Sequence, residues 1–344
     1  MADGHETFLA QLSCPARVVD VRPRPVPAVL LLSRTCDTSL DPVARRLAED
    51  GVPCVRLNAD ETAGADLVAE PDGRGVRVNG RLLAPTVTWI RHFDPPAVPD
   101  APGATAAAFL RESWLAASGD LAAVSGTAIR DRRPGTLAQL RLARRHGVAV
   151  PRTVLTTDPH GVLDRFDCPR LVVKAAHRHF VEAAPGRLTG VFPVVTDRDE
   201  LAAGPRPGPP VLVQEHIAHE AELRVYYAAG RIVAFRVAKG APDEPWTAPD
   251  RVGAELVDPP PPVSAATTRL AAAMSLRFGA FDFLMRAGEP VFLEVNPDGD
   301  WHWAERRAGT TAVTEAVASM LATLHRATPP APKDLLTLLA WRPA

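Results

Sequence analysis

Near its C-terminal end the chain reads VFLEVNPDGDWHWAE from Val291 to Glu305, an apolar strand whose last positions carry Glu294 and Asn296. Residues two apart on a strand share a face, so a carboxylate and a carboxamide lie side by side. A core strand has no use for that pair, whereas a hard cation does. Mg2+ takes oxygen ligands and leaves part of its octahedron to phosphate groups. A third oxygen ligand comes from the preceding strand. The segment GAFDFLMRAGEPVFLEVN reads as a hairpin, and a three-residue loop Ala287-Gly288-Glu289 pairs Arg286 with Pro290 and sets Asp282 opposite Glu294. In that register Phe281, Phe283, Leu293 and Val295 point into the core, while Asp282, Glu294 and Asn296 form one oxygen face. Adjacent carboxylates without a counterion repel each other, which is the physical reason to assign them a metal.

Cationic side chains suited to phosphate stand elsewhere in the chain. Lys174 ends the apolar stretch RLVVK, where a strand end delivers an ammonium while its stem stays covered. In AELRVYY the alternation puts Glu222, Arg224 and Tyr226 on one face. A guanidinium such as that of Arg224 grips two oxygens at once and keeps its charge. Lys239 and Arg251 are weaker candidates for anion contacts, and His177 and His179 read as loop residues. His216 and His219 form an H-x-x-H with no third ligand, too little for zinc. Neither a G-x-S-x-G nor a placed Cys-His pair is present, so no protein nucleophile is expected.

The elements that must position these groups follow from periodicity. An N-terminal arm, 1–26, ends in RPRPVP; then AVLLLSR is a buried-type strand, Asp37 to Asp50 has helical spacing, and Gly51 sits at its C-cap. VPCVRLN is a second strand, GVRVNGRLL a hairpin turning at Asn79-Gly80, and PTVTWIRH a further strand. This strand–helix–strand order describes a small α/β domain over 27–125, which ends in a helical region from Thr105 to Ala123. Thr136 caps a helix with the stripe Leu137, Leu140 and Ala143 that ends at Gly147. RLVVKAA, PPVLVQEHI and AELRVYYAAGRIVAFRVAK are strands, Val263 to Phe278 is an amphipathic helix, and residues 311–326 close the fold before a tail, 329–344.

The bulk numbers narrow the classes. A chain of 344 residues holds two or three domains, and a net charge of -1 creates no overall field for nucleic acid or anionic membrane. The 35 prolines fall in connections, while 46% apolar residues in periodic segments supply a core. Cys14, Cys36, Cys54 and Cys168 are widely spaced with no CxxC pair, which reads as free thiols in a reducing compartment. The N-terminus lacks the basic-then-apolar pattern of a signal peptide, and no apolar run is long enough to span a bilayer. A cytoplasmic location is expected.

The hairpin and its continuation GAFDFL…VFLEVNPDGDWHWAE resemble the end of the ATP-grasp domain, with an Asp followed by Glu-x-Asn. The run Asn296-Pro297-x-Gly299-x-Trp301-x-Trp303-x-Glu305 is similar to the ATP-grasp peptide maturases of the graspetide (microviridin-type) family, which more commonly have Gln where this chain has Asp300. The resemblance implies a three-domain fold: the N-terminal α/β domain, a central lobe over 126–213 and a C-terminal lobe over 214–328, with ATP between the lobes. It implies Mg2+ on Asp282, Glu294 and Asn296, and phosphates held by Lys174 and Arg224. It makes VLVQEHI a hinge in which Gln214, Glu215, His216 and Ile217 read the adenine, with Glu222 or Glu220 near the ribose. TWIRH is similar to the family's strand ending in Trp-x-Arg. The family usually has a phosphate-binding Lys where this chain has Thr136, and Arg130, Arg132 and Arg133 stand nearby.

The activity so implied is ATP-dependent activation of a side-chain carboxylate in a ribosomal precursor peptide, followed by an ω-ester or ω-amide cross-link. The partner is a precursor with a leader segment, and a homodimer is allowed. One alternative couples a free amino acid or amine to a small carboxylate or protein terminus. Another is a catalytically silent member that binds nucleotide or peptide, a reading that Thr136 favours. In an extended conformation Trp301 and Trp303 share a face, and they are expected to shield the activated carboxylate from water.

Overall fold

The computed structural model describes residues 25–70, 75–93, 103–130, 134–176, 180–184, 187–203, 208–242 and 244–328. Most of the N-terminal arm, the tail, Arg132, Arg133, His177 and His179 lie outside the described residues.

Residues 28–32 are apolar without interruption and buried throughout, as expected of a parallel strand covered on both faces. This strand, β1 (Val26–Ser33), is followed by α1 (Leu40–Glu49), which buries Leu40, Val43 and Leu47, and by β2 (Cys54–Asn58). Next come β3 (Leu67–Ala69), β4 (Val76–Val78), β5 (Arg81–Ile90), α2 (Ala104–Ala123) and β6 (Thr127–Ile129). They form one sheet in the order β2-β1-β5-β4-β3, with β6 on β5; β2, β5 and β6 add parallel and β3 and β4 antiparallel. Asn79 and Gly80 turn at φ +49 and +74, the left-handed pair that a tight hairpin needs. The expected helix starts at Leu40 rather than Asp37, whose carboxylate is engaged instead by Arg91.

The middle of the chain supplies α3 (Thr136–Arg145), β7 (Thr153–Thr156), β8 (Arg170–Ala175), the hairpin β9 (Phe180–Ala184) and β10 (Arg187–Gly190), β11 (Val194–Asp197), α4 (Arg198–Ala203) and β12 (Val211–Glu215). Strands β11-β8-β12-β7 make an antiparallel sheet around Phe166, Leu171 and Val213. Gly135, not Thr136, occupies the N-cap of α3; Thr136 is its first helical residue and is buried.

The third part contains β13 (Ala221–Ala228), β14 (Arg231–Ala238), α5 (Glu244–Thr247), β15 (Gly253–Val257), α6 (Pro261–Ala273), β16 (Phe278–Arg286), β17 (Glu289–Asn296), α7 (His302–Ala308) and α8 (Ala312–Ala327). Its sheet runs β15-β14-β13-β16-β17, antiparallel throughout. Helix α6 stops at Ala273, short of the expected Phe278, because Ser275 turns left-handed and Phe278 already begins β16. One face of the sheet packs Leu223, Val225, Phe281, Phe283, Phe292 and Val295 against α3 and α6. On the opposite face Tyr226, Phe235 and Ala280 share a core with Val29, Leu31 and Trp89 of the first sheet and with α8. The N-terminal sheet is thereby fixed beside the loop that follows β17.

Candidate active site

The turn of the β16–β17 hairpin is one residue shorter than expected. Ala287 and Gly288, at φ +51 and +78, form a two-residue turn, so Arg286 pairs with Glu289 and Met285 with Pro290. Phe283 still pairs with Phe292, but Asp282 pairs with Glu294, because β17 bulges at Leu293. The bulge absorbs one residue and restores the expected opposition of the two carboxylates. It also turns Leu293 away from the core face. Leu293 packs with Ile217, Leu284 and Val291, not with Phe281 and Phe283, contrary to the simple alternation.

Across the sheet, Arg224 pairs with Asp282 and Asp282 with Glu294, so three charged side chains stand in one row. Arg224 Nη1 donates to Asp282 Oδ1 at 2.9 Å and Oδ2 at 2.7 Å. Burial works against the guanidinium's charge, but Asp282 and Tyr226 outweigh it and hold the Arg224 pKa above its ordinary value. Lys174 closes the row from the other sheet, its Nζ donating to Glu294 Oε2 at 3.2 Å. The structure thus brings together Asp282, Glu294, Arg224 and Lys174, drawn from strands up to 120 residues apart. Asn296 ends β17 on the same face, opposite Ala280, and its Oδ1 accepts from Asp298 N at 3.1 Å.

The hinge candidates connect β12 to β13. Gln214 Nε2 donates to Thr153 Oγ1 at 2.9 Å, and Glu215 Oε1 accepts from Arg152 N at 2.8 Å. The N–H groups of Glu215 and His216 donate to Arg152 O and Arg170 O, so this connection is braced against its own sheet. Burial, then the charges of Arg170 and His219, lower the His216 pKa. Ile217 is buried in the apolar patch with Leu284, Val291 and Leu293. His219 Nδ1 lies 2.9 Å from Ile217 O. Glu220 Oε1 accepts from Ala287 N at 2.9 Å and so anchors the hairpin turn, while Glu222 forms an ion pair with Lys239 at 2.7 Å. Arg130 Nη2 donates to Gly119 O at 2.8 Å, which ties it to α2 rather than to Thr136.

Sequence reasoning marks Arg91 only through the resemblance of TWIRH to a strand ending in Trp-x-Arg, and it does not foresee what the groups beside the first sheet touch. Arg91, at the end of β5, is buried and donates through Nε to Asp37 Oδ2 at 2.8 Å and through Nη1 to Gly299 O at 3.1 Å. Ser39 Oγ donates to Asp300 Oδ1 at 2.6 Å, and the same oxygen accepts from His302 N at 3.0 Å. Asp300 thereby starts α7 and ties it to the start of α1, which gives the unexpected acid a purpose. Trp301 is not extended: it is the N-cap residue of α7 and is fully buried, stacked 6.4 Å from Trp89. Its Nε1 donates to Thr314 Oγ1 at 3.0 Å, and Thr314 in turn donates to Glu305. Trp303 is half-buried against the same core, so Trp301 wholly and Trp303 partly serve packing.

No protein-family model matches the chain, and no curated protein matches it. Solved structures do. Macrocyclase MdnC bound with precursor peptide MdnA, from Microcystis aeruginosa MRC, is 21% identical and covers 86% of this chain and 99% of its own, with a TM-score of 0.72. A Chryseobacterium gregarium RiPP-associated ATP-grasp ligase, in complex with ADP and a leader and core peptide, is 18% identical over 87% and 97%, TM-score 0.68. The ATP-grasp ligase PsnB, complexed with a phosphomimetic variant of minimal precursor, Mg and ADP, gives 20%, 88%, 99% and 0.66. This chain has the ATP-grasp fold.

Two antiparallel sheets, β11-β8-β12-β7 and β15-β14-β13-β16-β17, supply these side chains. Lys174 crosses from the first to the second. Among the described residues no three His, Cys, Asp or Glu side chains are placed to hold a metal. The candidate donors Asp282, Glu294 and Asn296 are two carboxylates and a carboxamide, all hard oxygen, a chemistry that would fit Mg2+ shared with phosphate groups. Among the described residues no helix is long and apolar enough to cross a membrane.

Proposed function

We propose that this chain is an ADP-forming ligase that activates a side-chain carboxylate of a ribosomal precursor peptide and joins it to a hydroxyl or amine of the same peptide. The observation that carries the reading is the face of the C-terminal lobe. One end is the apolar patch Ile217, Leu284, Val291 and Leu293, and the row Lys174, Glu294, Asp282 and Arg224 follows directly along the same strands. A nucleotide has that polarity, an apolar base followed by anionic phosphates. The folds of MdnC, PsnB and the Chryseobacterium ligase, with their peptide and ADP complexes, support the substrate class.

Asp282, Glu294 and Asn296 would hold Mg2+, which supplies neutralisation of charge on the phosphoryl oxygens. A carboxylate oxygen of the peptide attacks the γ-phosphorus of ATP, the bond to the β-phosphate oxygen breaks, and ADP leaves. The acceptor hydroxyl or amine then attacks the acyl carbon, loses its proton, and phosphate departs. Arg224 and Lys174 hold the phosphates and stabilise the charge that develops on them. Gln214, Glu215, His216 and Ile217 set the hinge beside the base, and Glu222 faces the ribose. ATP chemistry of this kind belongs in the cytoplasm.

The test is to incubate the protein with Mg2+, ATP and a short acidic, Thr/Ser/Lys-rich peptide encoded beside it, and to follow ADP release and peptide mass. One water lost per ADP released supports the reading. Efficient ligation of free amino acids, with no water lost from the peptide, overturns it.

A further inference from the structure

We infer that Arg91 and Asp37 are positioning residues for the nucleotide–metal site, acting through the turn that follows Asn296; this rests on the reading of that site given above. The two side chains form a nearly inaccessible ion pair, 0% and 4% exposed. Asp37 Oδ2 accepts from both Arg91 Nε and Ser33 Oγ, each at 2.8 Å. The guanidinium carbon lies 4.4 Å from the ring centre of Trp301 and 5.8 Å from that of Trp89. Such a pair is costly to desolvate, and apolar replacements of equal volume serve stability as well or better. What an apolar replacement could not do is reach out of the N-terminal sheet. Arg91 Nη1 does so, to Gly299 O.

Gly299 is the point at which this contact bears on the site. A side chain there would collide with Ala280 Cβ and come within 3.0 Å of Arg224 Nη2, so the turn's backbone lies directly against the Arg224 guanidinium. Gly299 N donates to Asn296 O at 3.1 Å, within the same turn in which Asn296 Oδ1 accepts from Asp298 N. The hydrogen bond from Arg91 therefore fixes a carbonyl that is rigidly linked to one metal candidate and packed against the phosphate-binding arginine. Asp37 sets the plane and direction of the donor. Tyr226 OH, donating to Asp300 O at 2.6 Å, holds the next peptide from the C-terminal lobe, so the turn is gripped from both sides.

The experiment measures ADP affinity of the full chain by titration calorimetry, with and without Mg2+, for wild type, Arg91→Lys and Asp37→Asn. A lysine keeps the charge opposite Asp37 but its single ammonium does not also serve Gly299 O. The expected result is a drop of about tenfold in affinity for ADP with Mg2+, typical of groups that orient metal ligands, and less than about twofold for ADP alone. Thermal unfolding of each variant checks the fold, and Asp37→Asn decides the matter if Arg91→Lys does not fold. Equal weakening with and without Mg2+, or no weakening in either variant, overturns the assignment. A wild-type protein that binds ADP no better with Mg2+ than without it overturns the underlying site reading instead.

Discussion

Arg224 and Asp282 sit directly opposite each other on β13 and β16, and one guanidinium nitrogen reaches both carboxylate oxygens at 2.9 and 2.7 Å. The arginine that would hold phosphate and the aspartate that would hold metal are therefore each other's partners. Removing either one strands the other. Asp282→Asn, which keeps the shape and one acceptor, is expected to lower Mg2+-dependent ATP turnover by roughly 10²-fold or more. Asp282→Ala is expected in addition to lose about 3–5 kcal/mol of stability, by leaving a half-buried guanidinium unpaired. Steady-state kinetics and urea unfolding on the same preparations separate the two effects. Near-normal turnover by Asp282→Asn removes the metal assignment.

Lys174 reaches Glu294 from a different sheet at 3.2 Å. Lys174→Met is expected to raise KM for ATP severalfold with a smaller change in kcat, whereas Arg224→Lys acts mainly on kcat. Initial-rate measurements over a range of ATP concentrations test the split. The same pattern in both variants would show that the two cations have no separate tasks.

Trp301 belongs to the core, between Trp89, Phe278 and Arg91. Trp301→Ala is expected to cost about 3–5 kcal/mol, read from denaturant midpoints, and to leave the ratio of water lost to ADP released unchanged in whatever fraction stays folded. Uncoupling at unchanged stability would restore the shielding role expected from alternation.

Asp37 carries a pH signature. Burial alone would raise its pKa, but the charge and hydrogen bond of Arg91, with His92 and Ser33, hold it below the ordinary 3.8. The folded-state value is the depressed one, so the stabilisation is present above the unfolded pKa and is lost as pH falls through the folded value. The stability gap between wild type and Asp37→Asn is therefore expected to be constant near neutrality and to shrink below pH 3.8. Chemical unfolding at a series of acidic pH values checks it; a gap that widens toward acid contradicts the pairing.

The strand face that carries Asp282, Glu294 and Asn296 was legible because strand alternation is local, and counting back from a hairpin turn finds the partner strand. The count reached the right pair by way of a wrong turn: the loop was one residue shorter and the bulge at Leu293 made up the difference. Nothing local marks a bulge inside VFLEVN, so Leu293 was assigned to the wrong face. The link from Arg91 to Gly299 spans 208 residues and has no periodic signal; only packing two sheets on a shared core creates it. Trp301 and Trp303 were misread because Asp300 starts a helix where alternation assumes a strand.

The bulge gives the hairpin two interchangeable ways of keeping Asp282 and Glu294 abreast: a two-residue tip with an extra residue at Leu293, as here, or a three-residue tip with none. A single-residue insertion at the tip, matched by deletion of Leu293, passes from one to the other without disturbing the carboxylates. What changes is the patch around Ile217, where the bulged form adds Leu293 to Leu284 and Val291. The apolar surface around Ile217 can therefore be rebuilt in this hairpin without moving the two carboxylates, so the two ends of one strand are free to change separately.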